Sequence, residues 1–310
     1  MRSAICITGC TASGKSKIAA HLASVRPSVI INADSIQVYE FLRILSSRPT
    51  AKDFGELENI LYGHIKCGSE YSVGKWLEDA KIAIDYAYGK KKTPIIVGGT
   101  GLYFSALING LALIPSISKE TREKSDFLRK NSPETLLYEL KIKDRMTYDN
   151  IDKYNFSRVQ RAWEVLIDTG YGISYWQQTK GTPLLNKHEF QSFIISCDQS
   201  ILRDNIAKRS RNMFEEGIDN EVKCILNSNF NSNPSHPAHK AIGFAEVGKY
   251  IAGTLTLEQA IDTINMKTRQ YAKKQRTWFR NQMPSWQVLE ITKNFNLMKV
   301  VEHIDKKALS

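Results

Sequence analysis

The sequence predicts an α/β fold in which helices flank a parallel sheet and a helical domain is inserted. Short runs rich in Ile and Val alternate with helical patterns over the first 115 residues. From about Ser118 to Asp168, helix signals are frequent and strand signals are almost absent. Strands that alternate with helices favour a parallel sheet, and the change of pattern favours an insertion.

The core elements follow one another in a regular order. Apolar runs predict strands at Ala4–Thr8, Ser28–Asn32, Pro94–Val97 and Gln191–Cys197. Helical patterns cover Lys15 to about Ser24, Trp76–Tyr88 and Leu257–Arg280. We therefore expect residues 1–115 and 191–310 to form the α/β core with its C-terminal helices.

Residues 116–190 are predicted to form the helical insertion domain. The segment Ser132-Pro133-Glu134 offers an N-cap residue, a proline for the first helical position and an acid for the first turn. Further along, apolar residues recur at helical spacing: Val159, Trp163, Leu166 and Ile167. Gly170 is placed to end that helix.

The composition restricts the partner and the compartment. The 310 residues carry 43 Lys and Arg against 32 Asp and Glu, and this net charge of +11 indicates an anionic partner such as nucleic acid or phosphate. No apolar run is long enough to cross a membrane, so we expect no membrane association. The five cysteines contain no Cys-x-x-Cys pair, which favours reduced thiols and a cytoplasmic location.

Two further segments are judged on composition. His236 and His239 form a close pair, but no Cys or carboxylate cluster accompanies them, so we expect them not to bind a metal. Asn227–Pro237 is rich in Asn, Ser and Pro, which is typical of a loop.

The segment Gly9–Ser16 (GCTASGKS) matches the phosphate-loop pattern G-x-x-x-x-G-K-[ST] between a predicted strand and a predicted helix. Glycines let the backbone wrap a phosphate, while N–H groups and the helix N-terminus present positive potential to it. Lys15 adds a full charge, and the Ser16 hydroxyl is suited to hold Mg²⁺. The fold expectation thus becomes a P-loop NTPase-like sheet. The alternative is an ordinary glycine-rich turn, and the loop alone names no reaction.

Two polar residues follow other predicted strands at the sheet edge where ligands bind. Asp34 is suited to act as a general base or a magnesium ligand, and a helix N-cap is the equally weighted alternative. Thr100, in a Gly-Gly-Thr-Gly segment, has a hydroxyl suited to bond a phosphate or a reacting amine. A plain turn is the alternative for Thr100.

Basic residues form stripes on two predicted helices. Four cations on the long C-terminal helix are spaced 4, 3 and 4 residues apart: Arg269, Lys273, Arg276 and Arg280. Arg158 and Arg161 in the insertion lie three residues apart, opposite its apolar stripe. A solvated charged face is the usual explanation of such stripes, and contact with RNA phosphates is the functional one.

Several segments together are similar to one family. They are GCTASGKS at Gly9–Ser16, DSIQVY at Asp34–Tyr39, YSV at Tyr71–Val73, IVGGTGLY at Ile96–Tyr103, AIGF at Ala241–Phe244 and TRQYAKKQRTWFR at Thr268–Arg280. In order and spacing these segments resemble the tRNA dimethylallyltransferases, the tRNA isopentenyltransferase family. The resemblance spans nearly the whole chain and is far more specific than a phosphate loop alone.

The resemblance implies transfer of a dimethylallyl group from dimethylallyl diphosphate to N6 of the adenine 3′ of the anticodon, in tRNAs reading codons that begin with U. It implies a diphosphate site at Gly9, Thr11, Ala12, Ser13, Gly14, Lys15, Ser16 and Arg209, with Mg²⁺ held at Ser16. Asp34 matches the general base in contact with the adenine amine, and Thr100 matches the hydroxyl beside the reacting centre. The implied tRNA contacts are Asp34, Ser35, Gln37, Arg158, Arg161, Arg269, Lys273, Arg276 and Arg280.

The sequence departs from the family pattern in three places. Cys10 stands where the family usually has Pro. Ile44–Pro49 reads ILSSRP where the family has a pattern like IGTAKP, so Leu45 replaces a glycine. Lys153–Phe156 reads KYNF where PNDP is usual.

Three rival functions share parts of this pattern. A small-molecule or nucleotide kinase would use the same phosphate loop with ATP. An adenylate isopentenyltransferase would prenylate a free nucleotide, and a non-catalytic P-loop protein would bind tRNA without forming product. The basic stripes favour tRNA as the acceptor, and we expect a monomer.

Overall fold

A computed structural model describes residues 3–69, 71–178, 181–228 and 236–309. The chain divides into two compact units. The first comprises residues 1–108 and 185–310, and the second comprises residues 109–184. Most of the predicted loop Asn227–Pro237 lies outside the described residues.

The first unit is built on a six-stranded sheet whose order is β3-β2-β4-β1-β5-β6. Every neighbouring pair of strands is parallel. The strands are β1 (Ala4–Gly9), β2 (Ser28–Asn32), β3 (Asn59–Ile60), β4 (Thr93–Gly98), β5 (Phe190–Cys197) and β6 (Gln287–Ile291). All residues of β1 and β2 are buried, as expected for strands covered on both faces.

Helices cover this sheet. In chain order the first unit contains α1 (Lys15–Val25), α2 (Ala51–Phe54), α3 (Val73–Gly89) and α4 (Gly101–Asn109). After the second unit it continues with α10 (Gln199–Glu215), α11 (Ile218–Leu226), a 3₁₀ helix (Pro237–Lys240), α12 (Phe244–Ile251), α13 (Leu257–Gln282) and α14 (Leu297–Leu309). One apolar cluster joins β1, β2, β4 and β5 to α1 and α14, and it includes Ile7, Leu22 and Phe193.

Every regular element described in the second unit is a helix. Its helices are α5 (Lys119–Asn131), α6 (Pro133–Lys143), α7 (Arg145–Asn150), α8 (Phe156–Thr169) and α9 (Ile173–Gln178). Val159 and Trp163 are fully buried and Leu166 nearly so, in a cluster with Leu136 and Leu140 of α6. The predicted apolar stripe is therefore the face that holds this unit together.

The bounds of the second unit differ from the predicted 116–190. The unit begins at Asn109, the last residue of α4, and ends at Leu184. The residues after Leu184 are hydrogen-bonded to the first unit. The N–H of Leu185 donates to the carbonyl of Leu107 at 3.1 Å, and the carbonyl of Glu189 accepts from the N–H of Ala4 at 2.8 Å.

The predicted α/β class, with its parallel sheet, flanking helices and helical insertion, is confirmed. Gly170 ends α8 with φ 75°, as predicted. Ser132 is the N-cap residue of α6, Pro133 begins the helix and Glu134 lies in its first turn, as predicted, although the Ser132 side chain makes no capping hydrogen bond. Within the described residues, no helix combines the length and apolar character needed to span a bilayer.

Candidate active site

Three loops of the first unit begin at one edge of the sheet. The strands β1, β4 and β2 are parallel neighbours, with Thr8 in register with Gly98 and Asn32 in register with Val97. The phosphate loop therefore leaves β1 beside the two loops that follow β2 and β4. This carboxyl edge is where open parallel sheets bind ligands.

The phosphate loop connects β1 to α1 through two special conformations. Gly9 ends β1 so close to β5 that an added Cβ would lie 2.4 Å from the carbonyl oxygen of Ile195. Gly14, with φ 84°, turns the chain directly into α1, which places the free N–H groups of the first helical turn at the loop. Ala12 also has a positive φ of 61°. The loop thus has the backbone shape that its motif predicts.

Two cations meet at the phosphate loop. Lys15 Nζ donates to the carbonyl of Cys10 at 3.1 Å, and Arg209 Nη1 of α10 donates to Thr11 Oγ1 at 2.8 Å. Burial lowers the pKa of Lys15 and of Arg209, and the charge of Asp34 opposes this shift in both. Two neighbouring cations removed from water favour an anionic ligand, because an anion offsets both their desolvation and their repulsion.

Asp34 is held by the residue that ends β2. Asn32 is fully buried, and its Oδ1 accepts from the N–H of Asp34 at 3.0 Å while its Nδ2 donates to the carbonyl of Asp34 at 3.1 Å. Asp34 Oδ1 accepts from the N–H groups of Ile36 at 3.0 Å and Gln37 at 3.4 Å. Residues 35–38 form a turn and not a helix, so the helix N-cap alternative is wrong.

The second carboxylate oxygen of Asp34 is free to react. Oδ2 has no hydrogen-bond partner among the described residues, whereas Oδ1 is committed to the turn. A Cβ built on Gly99 would lie 3.5 Å from Asp34 Oδ2 and 3.6 Å from Lys15 Nζ. The carboxylate and the phosphate-loop cation therefore approach one point beside the third loop.

Thr100 connects the third loop to the Asp34 loop. Its Oγ1 accepts from the N–H of Ser35 at 2.8 Å and donates to Ser35 Oγ at 3.2 Å, and its own N–H donates to the carbonyl of Ala33 at 3.2 Å. The donor capacity of the hydroxyl is thus already used. In this structure Thr100 positions the segment that carries Asp34.

The loop at residues 44–49 forms another wall of the site. Gln37 Nε2 donates to the carbonyls of Ser46 at 3.1 Å and Ser47 at 3.2 Å, and Arg209 Nη2 donates to the carbonyl of Ser46 at 3.2 Å. The carboxylate of Glu221 accepts from the N–H groups of Ile44 at 2.7 Å and Leu45 at 2.9 Å.

Leu45, which stands where the family has glycine, does not disrupt this loop. Its side chain is buried in an apolar cluster with Phe244 and Ile264. Its Cδ2 lies 3.2 Å from the point that a Cβ on Gly243 would occupy. In this segment the backbone has a positive φ at Ser47, of 46°, and not at Leu45.

These loops enclose a cavity of about 410 Å³. The predicted residues that line it are Thr11, Ala12, Gly14, Lys15, Ser16, Asp34, Ser35, Gln37 and Arg209. Seven of the ten predicted diphosphate and catalytic positions therefore line one cavity, whereas Gly9, Ser13 and Thr100 do not line it. Ser13 is buried, and its Oγ has no hydrogen-bond partner among the described residues.

Sequence reasoning missed several residues of α13 at this site. Thr268 and Tyr271 line the cavity. Burial, and after it the Asp34 charge, raises the pKa of the Tyr271 hydroxyl, so this group stays a donor. Gln275 accepts from the N–H of Thr11 at 2.8 Å and donates to the carbonyl of Gly99 at 2.8 Å. The signal available in the sequence was a polar residue on the apolar face of an amphipathic helix.

A magnesium ion fits this site only in company with a phosphate ligand. No group of three His, Cys, Asp or Glu side chains in the described ranges is placed to hold a metal. Mg²⁺ commonly takes one or two protein ligands and completes its shell with water and substrate phosphates. The Ser16 hydroxyl, in the first turn of α1 and on the cavity wall, suits this role. His236, a member of the close histidine pair noted in the sequence, stacks its ring on that of Phe41, with the ring centroids 5.0 Å apart.

The predicted basic stripe of α13 is largely exposed. Arg269, Lys273 and Arg280 are exposed, and none of the three has an acidic partner within 4.0 Å in the described part of the chain. Arg276 is half-buried and close to Cys10, where its charge opposes the rise that burial causes in the pKa of that thiol. The stripe thus faces solvent at three positions and the phosphate loop at one.

In the second unit, Arg158 and Arg161 line a separate cavity of about 510 Å³. Arg158 is exposed, and Arg161 lies 3.6 Å from Glu164. The amide side chains of Asn150, Asn155 and Gln177 line the same cavity. The rest of its lining includes Asp152 and the apolar side chains of Ile151 and Ile173.

Comparison with known sequences identifies the family. The family model described as IPP transferase matches residues 37–282, and the one described as isopentenyl transferase matches residues 2–64. A tRNA dimethylallyltransferase of Roseobacter denitrificans is 41% identical over 282 residues, which cover 91% of this chain and 96% of that protein. One from Allorhizobium ampelinum is 38% identical over 293 residues, covering 94% and 96%.

Solved structures agree with this assignment. The full-length tRNA isopentenylpyrophosphate transferase of Bacillus halodurans is 27% identical, with a TM-score of 0.69 over 100% of this chain and 97% of that one. A eukaryotic dimethylallyltransferase acting on tRNA, 23% identical with a TM-score of 0.79 over 100% of this chain and 78% of that one, supports the fold alone. The resemblance inferred from the motifs is confirmed, and the chain belongs to the IPP transferase family.

Proposed function

We propose that the protein transfers a dimethylallyl group from dimethylallyl diphosphate to N6 of the adenine 3′ of the anticodon, in tRNAs reading codons that begin with U. The observation that carries this proposal is the meeting of a phosphate-loop cation, Lys15, and a free carboxylate oxygen, Asp34 Oδ2, beside Gly99. Relatives that bear the name tRNA dimethylallyltransferase support both the transferred group and the acceptor.

The donor half of the reaction requires the bond between the allylic C1 and the diphosphate oxygen to break. Negative charge then builds on the departing diphosphate. Lys15, Arg209 and the N–H groups at the start of α1 stabilise that charge, because they are fixed in place before the reaction begins.

The acceptor half requires help because the N6 amine is a poor nucleophile, with its lone pair delocalised into the adenine ring. As the C–N bond forms, N6 must lose one proton. Asp34 Oδ2 accepts it, while Oδ1 keeps the carboxylate oriented through Ile36 and Gln37. The adenine must leave its stack to reach this cavity, as in other enzymes that act on nucleobases.

Ser16 would hold Mg²⁺ together with oxygens of the bound diphosphate. When bound, the ion supplies further positive charge beside the leaving group. Water would hydrolyse the allylic centre, so the bound prenyl chain and adenine would have to displace it from the cavity of about 410 Å³.

The tRNA would be held by the exposed cations of α13, Arg269, Lys273 and Arg280, with Arg276 between them and the phosphate loop. Arg158 and Arg161 of the second unit would add contacts to the anticodon stem-loop. We further propose that the enzyme acts as a monomer in the cytoplasm, where its tRNA substrate is found.

The proposal is tested first at Asp34. Asp34→Asn keeps an oxygen that accepts from Ile36 and Gln37 but removes the base, so we expect kcat for prenyl transfer to tRNA to fall about 10²–10⁴-fold. The dissociation constant for tRNA should change little. Asp85→Asn, at an exposed position of α3, is the matched control. Transfer by Asp34→Asn at the control rate would remove Asp34 from the base role.

A second test compares Arg209 with Arg211, another arginine of α10. Arg209→Gln should weaken binding of inorganic pyrophosphate, measured by calorimetry with Mg²⁺ present, by about 10-fold or more, since one charge-assisted contact is lost. Arg211→Gln is the control, because Arg211 is exposed and pairs with Glu258 at 3.2 Å. Equal affinities for the two variants would contradict a role for Arg209 at the diphosphate.

A third test concerns the stripe on α13. Replacing Arg269, Lys273 and Arg280 together with Gln should weaken tRNA binding and reduce the slope of log affinity against log salt by about 2–3. The charge-matched control replaces Lys293, Lys299 and Lys306, which are exposed near or on α14. Binding that is independent of salt between about 50 and 200 mM, or equal slopes for both triple variants, would exclude phosphate contacts by this stripe.

A further inference from the structure

Gln275 is a buried polar residue on a face of α13 that is otherwise packed. The buried residues nearest it along this face include Ala272 and Phe279, and Gln275 itself is only 7% exposed. A buried amide is costly unless its donor and its acceptor are both satisfied. At Gln275 both are, and neither partner belongs to α13.

The partners of Gln275 are main-chain groups of two different loops. Oε1 accepts from the N–H of Thr11 in the phosphate loop, and Nε2 donates to the carbonyl of Gly99 in the third loop, both at 2.8 Å. The partners are 264 and 176 residues away in sequence. A single side chain therefore joins the loops that follow β1 and β4.

Both loops carry groups of the proposed reaction. Thr11 Oγ1 accepts from Arg209, and the carbonyl of Cys10, one residue earlier, accepts from Lys15. Gly99 lies beside Asp34 Oδ2 and Lys15 Nζ. A shift of either loop would thus change the separation between the donor-side cations and the acceptor-side carboxylate.

The helix that carries Gln275 is itself fixed against the phosphate loop. Ala272 is buried in one cluster with Cys10 and Cys197. On the next turn, the Trp278 ring packs so closely on Gly101 that an added Cβ would lie 2.2 Å from it. The amide of Gln275 is therefore presented to both loops from a rigid element.

We propose that Gln275 is a positioning residue, which sets the distance between the phosphate loop and the third loop and thereby aligns the diphosphate leaving group with the Asp34 base. This role rests on the proposed function. Gln275 need not touch either substrate. Its contribution lies in holding two backbone groups, and a displacement of about 1 Å at a reacting centre can cost on the order of 10²-fold in rate.

The two hydrogen bonds of Gln275 allow a test that distinguishes a positioning role from a packing role. Gln275→Leu keeps the approximate size but loses both hydrogen bonds. Gln275→Glu keeps an acceptor for the N–H of Thr11, but an ionised carboxylate repels the carbonyl of Gly99 instead of donating to it. Protonation of the introduced carboxyl at lower pH restores that donor.

The experiment measures kcat and KM for prenyl transfer to tRNA by the full-length variants across pH, with Gln270→Leu as the control at an exposed position of the same helix. We expect Gln275→Leu to lower kcat by on the order of 10²-fold while the KM for tRNA changes less than about threefold. The activity of Gln275→Glu relative to the unaltered protein should rise as the pH falls.

Two results would overturn the proposal: a kcat for Gln275→Leu within about twofold of the Gln270→Leu control, or a relative activity of Gln275→Glu that does not depend on pH. If Gln275→Leu does not fold, the pH dependence of the relative activity of Gln275→Glu tests the proposal alone.

If the unaltered protein transfers no prenyl group, the proposed function fails, and binding of inorganic pyrophosphate then tests Gln275 separately. In that assay Gln275→Leu should bind about fivefold or more weakly than Gln270→Leu, and equal binding would refute the bridge.

Discussion

The site depends on the side-by-side pairing of three parallel strands. Because β2, β4 and β1 are neighbours in register, the loops that follow them leave the sheet at one edge. The three loops bring a cation, a carboxylate and a glycine-rich turn together although these are far apart in the chain. Burial of the strands on both faces fixes this geometry, since a change of register by one residue would turn every side chain to the opposite packed face of the sheet.

Long-range hydrogen bonds then set the distances between the loops. Thr100 binds Ser35, Arg209 binds Thr11, and Gln275 binds both Thr11 and Gly99. Most of these bonds use backbone groups of the loops as partners. Each loop is therefore held by at least one side chain from another element, which favours a site that is formed before the substrates arrive.

The features that could be predicted from the sequence are those formed by residues close together in the chain. The phosphate loop was predicted because its glycines, Lys15 and Ser16 are adjacent in sequence, and Asp34 was placed because it follows a β-branched run. The bounds of α1, β2 and α13 agree closely with the periodicity. The full role of Thr100 and the role of Glu221 could not be predicted, because their partners lie many residues away.

The positive charge also has two separable uses. Lys15 and Arg209 are partly buried at the phosphate loop, where each is desolvated and close to Asp34. Arg269, Lys273 and Arg280 remain in solvent on α13, where interactions with RNA phosphates would depend on salt. The same helix supplies Gln275 to the site from its buried face, so one element serves both the catalytic loops and the proposed RNA surface.

The reaction proposed for this cavity is prenylation of an adenine within tRNA. The most direct measurement offers labelled dimethylallyl diphosphate to the protein together with unmodified tRNA and free AMP, followed by digestion and nucleoside analysis. We expect label in N6-dimethylallyladenosine from the tRNA and none on AMP. Label on AMP alone, or label recovered only as the hydrolysed alcohol, would contradict it.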